Sequence, residues 1–215
     1  METRFIMEES FFTALPLAQT GNEKQKQVEY LLVIYPGEEL NDLLLNEQEQ
    51  FVNDYGMQVS IRNKPHITLA SFQSVEHMEN TMIRWIQRIC SLQKSFQVTL
   101  NNYSGIPSHT IYLRIQDPSP FFPLVQQLKA VDDFIRSPEG PPFNLVSRPY
   151  LSIAGGLTEQ IYGRAMPDYS RKTFHESFQV RELILLKRDH SFDSCRTVNI
   201  FRLLPEDPAP GAGNG

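Results

Sequence analysis

Two heptapeptides determine the fold prediction: KPHITLA at residues 64–70 and RPYLSIA at residues 148–154. They align without gaps at an offset of 84 residues. Every position is matched in chemical type except one, where His66 in the first copy corresponds to Tyr150 in the second. Each copy is predicted to be a strand and follows a strand and a helix, so the repeat indicates a duplicated fold.

The alternation of a strand assigns the side chains of each copy to two faces. Residues i and i+2 point the same way, so His66 projects with Thr68, and Tyr150 projects with Ser152. A duplicated fold brings such strands together at a pseudo-two-fold axis. The groove between them would contain one imidazole, one phenol and two hydroxyl groups, which suit proton transfer and the binding of phosphate oxygens.

The two heptapeptides resemble the signature motifs of the two-histidine (2H) phosphoesterases, which include the 2'-5' RNA ligase-like (LigT-like) proteins and cyclic phosphodiesterases. That motif is a histidine, a residue that is usually apolar, and then Thr or Ser, in two copies. The resemblance covers residues 28–204. It implies an α+β fold with two pseudo-symmetric lobes, built from mainly antiparallel sheets around a central cleft.

The same resemblance implies the site. His66 and Thr68 take the first motif positions, Ser152 takes the second hydroxyl position, and Tyr150 departs from the pattern at a catalytic position. The implied chemistry is the opening of a 2',3'-cyclic phosphate, or the joining and cleavage of a 2',5' linkage. It uses one histidine as base and the other as acid, with no metal and no cofactor. Lys64 and Arg148, at the rim of each copy, are candidate substrate-binding residues.

The tyrosine at position 150, where the motif has a histidine, leaves three interpretations open. Free tyrosine has a pKa of about 10 and is a poor base at neutral pH, and losing a general acid or base typically costs about 10²- to 10⁴-fold in rate. The protein is therefore an impaired phosphodiesterase or 2'-5' RNA ligase-like enzyme, or a non-catalytic module that binds a nucleotide or RNA end. In the third interpretation the repeat is structural and the cleft of the α+β protein has another ligand or partner.

Two other histidine segments are alternatives to this site. His175 begins a second His-x-Ser sequence with Ser177 and is a candidate substrate-binding residue, although a surface histidine at the start of a strand explains it as well. His190 lies between Asp189 and Asp193, where turn chemistry explains the pattern better than a metal site does.

Charge and composition limit the partners. The chain has 215 residues and a net charge of −5, but residues 61–215 contain 17 basic and 14 acidic side chains. This mild excess suits a nucleotide or short RNA end and argues against a protein that coats duplex DNA. No run approaches 18 apolar residues, so we expect no membrane-spanning helix. The first residues are acidic, with no basic stretch before an apolar one, so we expect no secretory signal. The two cysteines suggest reduced thiols and a cytoplasmic location.

The predicted organisation is one domain with two flanking segments. Residues 1–27 are an extension of uncertain order, residues 28–204 form the bilobal domain, and residues 205–215 are a disordered tail. The boundary between the lobes is expected near residues 104–108 or slightly later. The predicted strands are 28–35, 65–72, 96–100, 110–115, 149–154, 177–186 and 197–203, and the predicted helices are 40–55, 75–92, 120–135 and 158–166.

Overall fold

Nine strands form one continuous sheet in the computed structural model, which describes residues 27–56, 64–135, 143–190 and 193–206. The strands are β1 (Gln27–Ile34), β2 (Ile67–Val75), β3 (Phe96–Ile106), β4 (Thr110–Ile115), β5 (Asn144–Leu145), β6 (Tyr150–Ala154), β7 (His175–Val180), β8 (Glu182–Arg188) and β9 (Arg196–Arg202). The helices are α1 (Glu38–Tyr55), α2 (Glu79–Cys90), α3 (Phe121–Ile135) and α4 (Glu159–Tyr169), with a 3-10 turn at Glu76–Met78 before α2.

The sheet consists of two four-stranded halves that meet at the motif strands. The strand order is β7-β3-β4-β6-β2-β1-β8-β9, and β5 pairs with the edge of β2. All pairs of named strands are antiparallel. Because β6 and β2 are the inner strand of each half, the sheet has the symmetry that the repeat predicts. The predicted α+β fold with two antiparallel lobes is confirmed.

Leu31, Val33, Ile184 and Leu186 form a small apolar cluster on one face of β1 and β8, and the main core lies on the other face, together with the buried side chains of the helices. Tyr30, Leu32 and Ile34 of β1 alternate into the main core and are almost fully buried. The helix α1 adds Leu44 and Phe51 to the same cluster. The helix ends at Gly56, whose φ of 67° lies in the left-handed region that favours glycine and whose N–H donates to the carbonyl of Val52.

The single strand predicted over residues 177–186 is wrong. β7 ends at Val180 and pairs with β3, whereas β8 begins at Glu182 and pairs with β1 in the other half of the sheet. Between them, Arg181 accepts a main-chain hydrogen bond of 2.8 Å from Leu203. The inward-facing positions shift by one residue at Arg181, and the continuous apolar run that follows conceals this shift in the sequence.

The expected lobe boundary near residues 104–108 is also wrong. Ser104 and Ile106 belong to β3, and Ile106 pairs with Thr110 of β4, so this segment is a hairpin inside one half of the sheet. A Gly-Ile-Pro-Ser sequence indicates a turn, but it does not distinguish a hairpin from a connection between lobes. Each half of the sheet also combines segments that are far apart in the sequence, because β8 pairs with β1 and β9 pairs with β8.

The predicted flanking segments fall mostly beyond the described residues. Residues 1–26 and 207–215 lie outside them, and Gln27 already belongs to β1. At the other end, the Glu206 carboxylate accepts a hydrogen bond of 3.2 Å from the Gln179 amide. In the described part of the chain, no helix is long and apolar enough to cross a bilayer.

Candidate active site

The two motif copies lie side by side in the sheet. β2 and β6 are antiparallel neighbours, and the Cα atoms of Ile67 and Leu151 are directly paired. Burial follows one pattern in both copies, because the first residue is exposed and the third and fifth are half-buried between fully buried neighbours. The two equivalent apolar residues therefore mark the pseudo-two-fold axis, and the polar positions of both copies point away from the core.

A cavity of about 580 Å³ lies over this pair of strands. It is lined by His66 and Thr68 from the first copy and by Tyr150 and Ser152 from the second. The volume is typical of a site for a small molecule or nucleotide. The structure thus brings the four predicted site residues to one cavity.

The charge of the cavity suits an anion. Lys64 and Arg148 line it and are both exposed, at equivalent positions of the two copies. The residues that line it in the described ranges include no Asp or Glu. Two cations without an acidic neighbour in the lining raise the local concentration of a phosphorylated ligand.

The imidazole of His66 is oriented and partly desolvated. Its Nδ1 donates a hydrogen bond of 2.8 Å to the main-chain carbonyl of Lys64, so Nε2 is the unprotonated nitrogen of the neutral ring. Burial lowers the pKa of His66 below its usual 6.5, the Lys64 carbonyl opposes this, and the charge of Arg188 lowers the pKa further. A neutral imidazole with a free Nε2 can accept a proton near pH 7.

Tyr35 is a neighbour of this histidine that sequence reasoning missed. Its ring meets the His66 ring edge-on, with centroids 6.1 Å apart, and the Lys64 ammonium lies 5.1 Å from the centre of the Tyr35 ring. The ring therefore packs beside both the candidate base and one of the two cavity cations. Tyr35 is the last apolar residue of the first strand pattern, and no local signal connects it to the motif.

The Tyr150 ring packs against a second tyrosine. Its centroid lies 4.6 Å from that of Tyr112, at an interplanar angle of 41°. Tyr112 pairs with Ser152 across β4 and β6. Sequence reasoning also missed Tyr112, although the alternation of TIYLRI places it on the face opposite the core residues Ile111 and Leu113.

The helix α1 supplies another cavity residue, Gln48. Its Nε2 donates a hydrogen bond of 3.2 Å to the main-chain carbonyl of Ser152, 104 residues away. The Oε1 atom is buried and has no hydrogen-bond partner among the described residues. Gln48 thus connects α1 to the second motif, and a glutamine within a polar helix gives no sequence signal for that contact.

The remaining candidates lie elsewhere. His175 is exposed at the start of β7, where it pairs with Asn101, and it does not line the cavity. The His190 N–H donates to Asp193 Oδ2 at 3.0 Å and its carbonyl accepts from the Asp193 N–H at 2.9 Å, so both main-chain groups of His190 bind one residue. Among the described residues, no group of three or more His, Cys, Asp or Glu side chains could hold a metal ion.

Known structures share this fold. E. coli LigT complexed with 3'-AMP superposes with a TM-score of 0.61 at 15% identity, covering 82% of this chain and 98% of LigT. E. coli LigT complexed with ATP gives 0.56 at 18% identity, covering 83% and 99%. TT0787 of Thermus thermophilus gives 0.55 at 13% identity, covering 83% and 99%. No curated protein matches the sequence.

The sequence identities with these structures are too low to assign a family, but a family model does assign one. The model of the 2'-5' RNA ligase superfamily matches residues 49–191, which include both heptapeptides and more than half of the chain. The match spans both inner strands of the sheet and the hairpin between them. The chain therefore belongs to the 2'-5' RNA ligase superfamily of two-histidine phosphoesterases.

Proposed function

We propose that the protein binds the phosphate of a cyclic-phosphate or 2',5'-linked nucleotide, or of an RNA end, between Thr68 and Ser152. The observation that supports this is the cavity formed by both motif copies, with cations and without acidic side chains among its described lining residues. LigT, which shares the fold, has been seen with 3'-AMP and ATP. Residues 28–204 act as one unit in this proposal, since both halves of the sheet contribute to the cavity.

The proposed reaction is a slow, metal-free opening of a 2',3'-cyclic phosphate. A water molecule attacks the phosphorus, and His66 Nε2 takes its proton. The bond from phosphorus to one ribose oxygen breaks, and that oxygen takes a proton from the Tyr150 phenol or from solvent. The Thr68 and Ser152 hydroxyls donate to the non-bridging oxygens as negative charge develops on them. The missing second histidine reduces the rate by about 10²- to 10⁴-fold relative to an intact pair.

The second candidate is a binding module of the same fold that does not turn its ligand over. The packing of Tyr150 against Tyr112 favours it, because a ring held by a neighbour is less free to reach a leaving oxygen. Binding depends on the hydroxyls and cations, which are present in both motif copies. The loss of one proton donor affects turnover far more than affinity.

The test is incubation of the protein with adenosine 2',3'-cyclic phosphate, with ring opening followed by ³¹P NMR. We compare His66→Ala with His77→Ala, a matched control at an exposed histidine of the 3-10 turn. Turnover that is lost only in His66→Ala supports the enzyme. Binding without turnover supports the module, and neither binding nor turnover refutes both.

A further inference from the structure

Four side chains project from the cavity face of β4 and β6. In the antiparallel register Tyr112 is the direct partner of Ser152, and Arg114 is the direct partner of Tyr150. Residues directly opposite each other in an antiparallel pair share a face of the sheet. Since Tyr150 and Ser152 line the cavity, Tyr112 and Arg114 extend the same surface onto the next strand.

The two tyrosines form a contiguous aromatic surface beside the candidate phosphate site. Their centroids are 4.6 Å apart, and both residues are half-buried, so part of each ring remains accessible. An accessible aromatic surface on a sheet face is a common means of stacking a nucleobase, and such stacking tolerates any base because every base has a π-face. The surface begins at Tyr150, within the cavity itself.

Arg114 adds a positive charge beside this aromatic surface, on β4 directly opposite Tyr150. The residue is exposed, and its Nε donates a hydrogen bond of 3.3 Å to the main-chain carbonyl of Asn101. That bond uses one of the five N–H donors of the guanidinium and holds the group at a main-chain carbonyl of β3. A guanidinium held in this way is well suited to bind a phosphate.

We propose that Tyr112 and Arg114 form a second subsite for the same ligand, an inference that rests on the proposed function. The nucleotide whose 3'-phosphate lies between Thr68 and Ser152 stacks its base on the Tyr112 and Tyr150 rings. Arg114 binds the phosphate on the 5' side of that nucleotide. The ligand is then the phosphorylated 3' end of an RNA strand rather than a nucleoside monophosphate, since the last nucleotide of such a strand has a phosphate on both sides.

The experiment measures dissociation constants by calorimetry for three probes that are not turned over: inorganic phosphate, adenosine 3'-phosphate and adenosine 3',5'-bisphosphate. The wild-type protein should bind the bisphosphate about tenfold more tightly than the 3'-phosphate, which is the usual effect of one charged hydrogen-bonding partner. Arg114→Gln should remove that preference. Arg84→Gln is the matched control, because Arg84 is also exposed and donates from Nε to a main-chain carbonyl, that of Asn80 on α2.

The aromatic surface is tested by two substitutions of one residue. Tyr112→Leu should weaken the binding of both adenosine probes by about 5- to 100-fold. Tyr112→Phe keeps the ring and should retain the affinity. Equal wild-type affinity for the two adenosine probes would overturn the role of Arg114, and an unchanged affinity in Tyr112→Leu would overturn the stacking role. Both results leave the proposed function intact. If none of the three probes binds to the wild-type protein, the proposed function itself fails.

Discussion

Nδ1 of His66 donates a hydrogen bond of 2.8 Å to the main-chain carbonyl of Lys64, two residues earlier in the chain. A carbonyl oxygen only accepts, so this contact assigns the ring proton to Nδ1 and leaves Nε2 unprotonated in the neutral form. The contact is local, and it orients the imidazole of a residue that lies just before the start of β2. The protonation state of this ring is the basis of the first prediction.

The rate of ring opening should decrease in acid with a midpoint below pH 6.5. Burial lowers the pKa of His66 and the charge of Arg188 lowers it further, so the neutral base persists to a lower pH than in a free imidazole. Activity is present above the lowered pKa and is lost as the pH falls through it. The measurement is kcat/KM for adenosine 2',3'-cyclic phosphate against pH, with an NMR titration of the imidazole assigned by His66→Gln. A midpoint above 6.5 in both measurements would contradict the prediction.

Restoring the second imidazole should increase turnover. Tyr150→His replaces the phenol by a group that ordinarily titrates near pH 6.5, beside the Ser152 hydroxyl and Arg148, which are already in place. We expect ring opening of adenosine 2',3'-cyclic phosphate to rise at least about tenfold, at or below the low end of the range for one acid or base, because the site was not selected around histidine.

The control for that substitution is Tyr150→Phe, which keeps the ring and removes its hydroxyl. This variant should not gain activity, and it should retain the packing against Tyr112. If Tyr150→His stays at the wild-type rate while its affinity for adenosine 3'-phosphate is unchanged, neither a catalytic nor a stacking role for position 150 survives.

Nucleotide binding should depend on salt through the two cavity cations. The double substitution Lys64→Gln with Arg148→Gln should weaken the binding of adenosine 3'-phosphate by about tenfold at low salt and flatten its dependence on NaCl concentration, because it removes the two charges in the lining. Lys129→Gln removes a single exposed charge on α3 and serves as the control. Identical salt slopes in the wild type and the double variant would show that the cations do not contact the ligand.

A buried lysine should contribute strongly to stability. Lys187 of β8 is 9% exposed, and its Nζ lies 2.9 Å from Glu76 and 2.6 Å from Glu79, which also accepts a hydrogen bond from Tyr30. Lys187→Met removes the cation that both carboxylates share, and we expect the free energy of unfolding to fall by about 2–4 kcal/mol. Urea denaturation measures this against Lys129→Met, and a loss below about 1 kcal/mol would contradict it.

Local patterns predicted the central part of the fold and most of the candidate site. The alternation of residues in each heptapeptide puts His66 with Thr68 and Tyr150 with Ser152, because the period of a strand does not depend on what the strand pairs with. The repeat itself predicts that the two strands are equivalent, and both have the same burial pattern in the structure. The replacement of a histidine by Tyr150 is likewise visible in the sequence.

Pairings between segments that are far apart in the sequence could be established only from the tertiary structure. The division of residues 175–188 between the two halves of the sheet depends on the partners β3 and β1, and the local hydrophobic pattern is compatible with one strand as well as two. For the same reason the sequence of residues 104–108 is compatible with a boundary between lobes as well as with the hairpin that the structure contains. Loop closure over long separations has no signature in a short window of sequence.

The sequence by itself determined the two motif copies, the face of each side chain in them and the single departure at Tyr150, since these follow from residue type and strand period. The tertiary structure decided that Gln48 contacts Ser152 across 104 residues, that Tyr112 packs against Tyr150, and that His175 lies outside the cavity. The physical reason is the distance along the sequence over which each property is decided. Side-chain direction along a strand is a local property, whereas the neighbours of that strand are selected by how the whole chain buries its apolar surface.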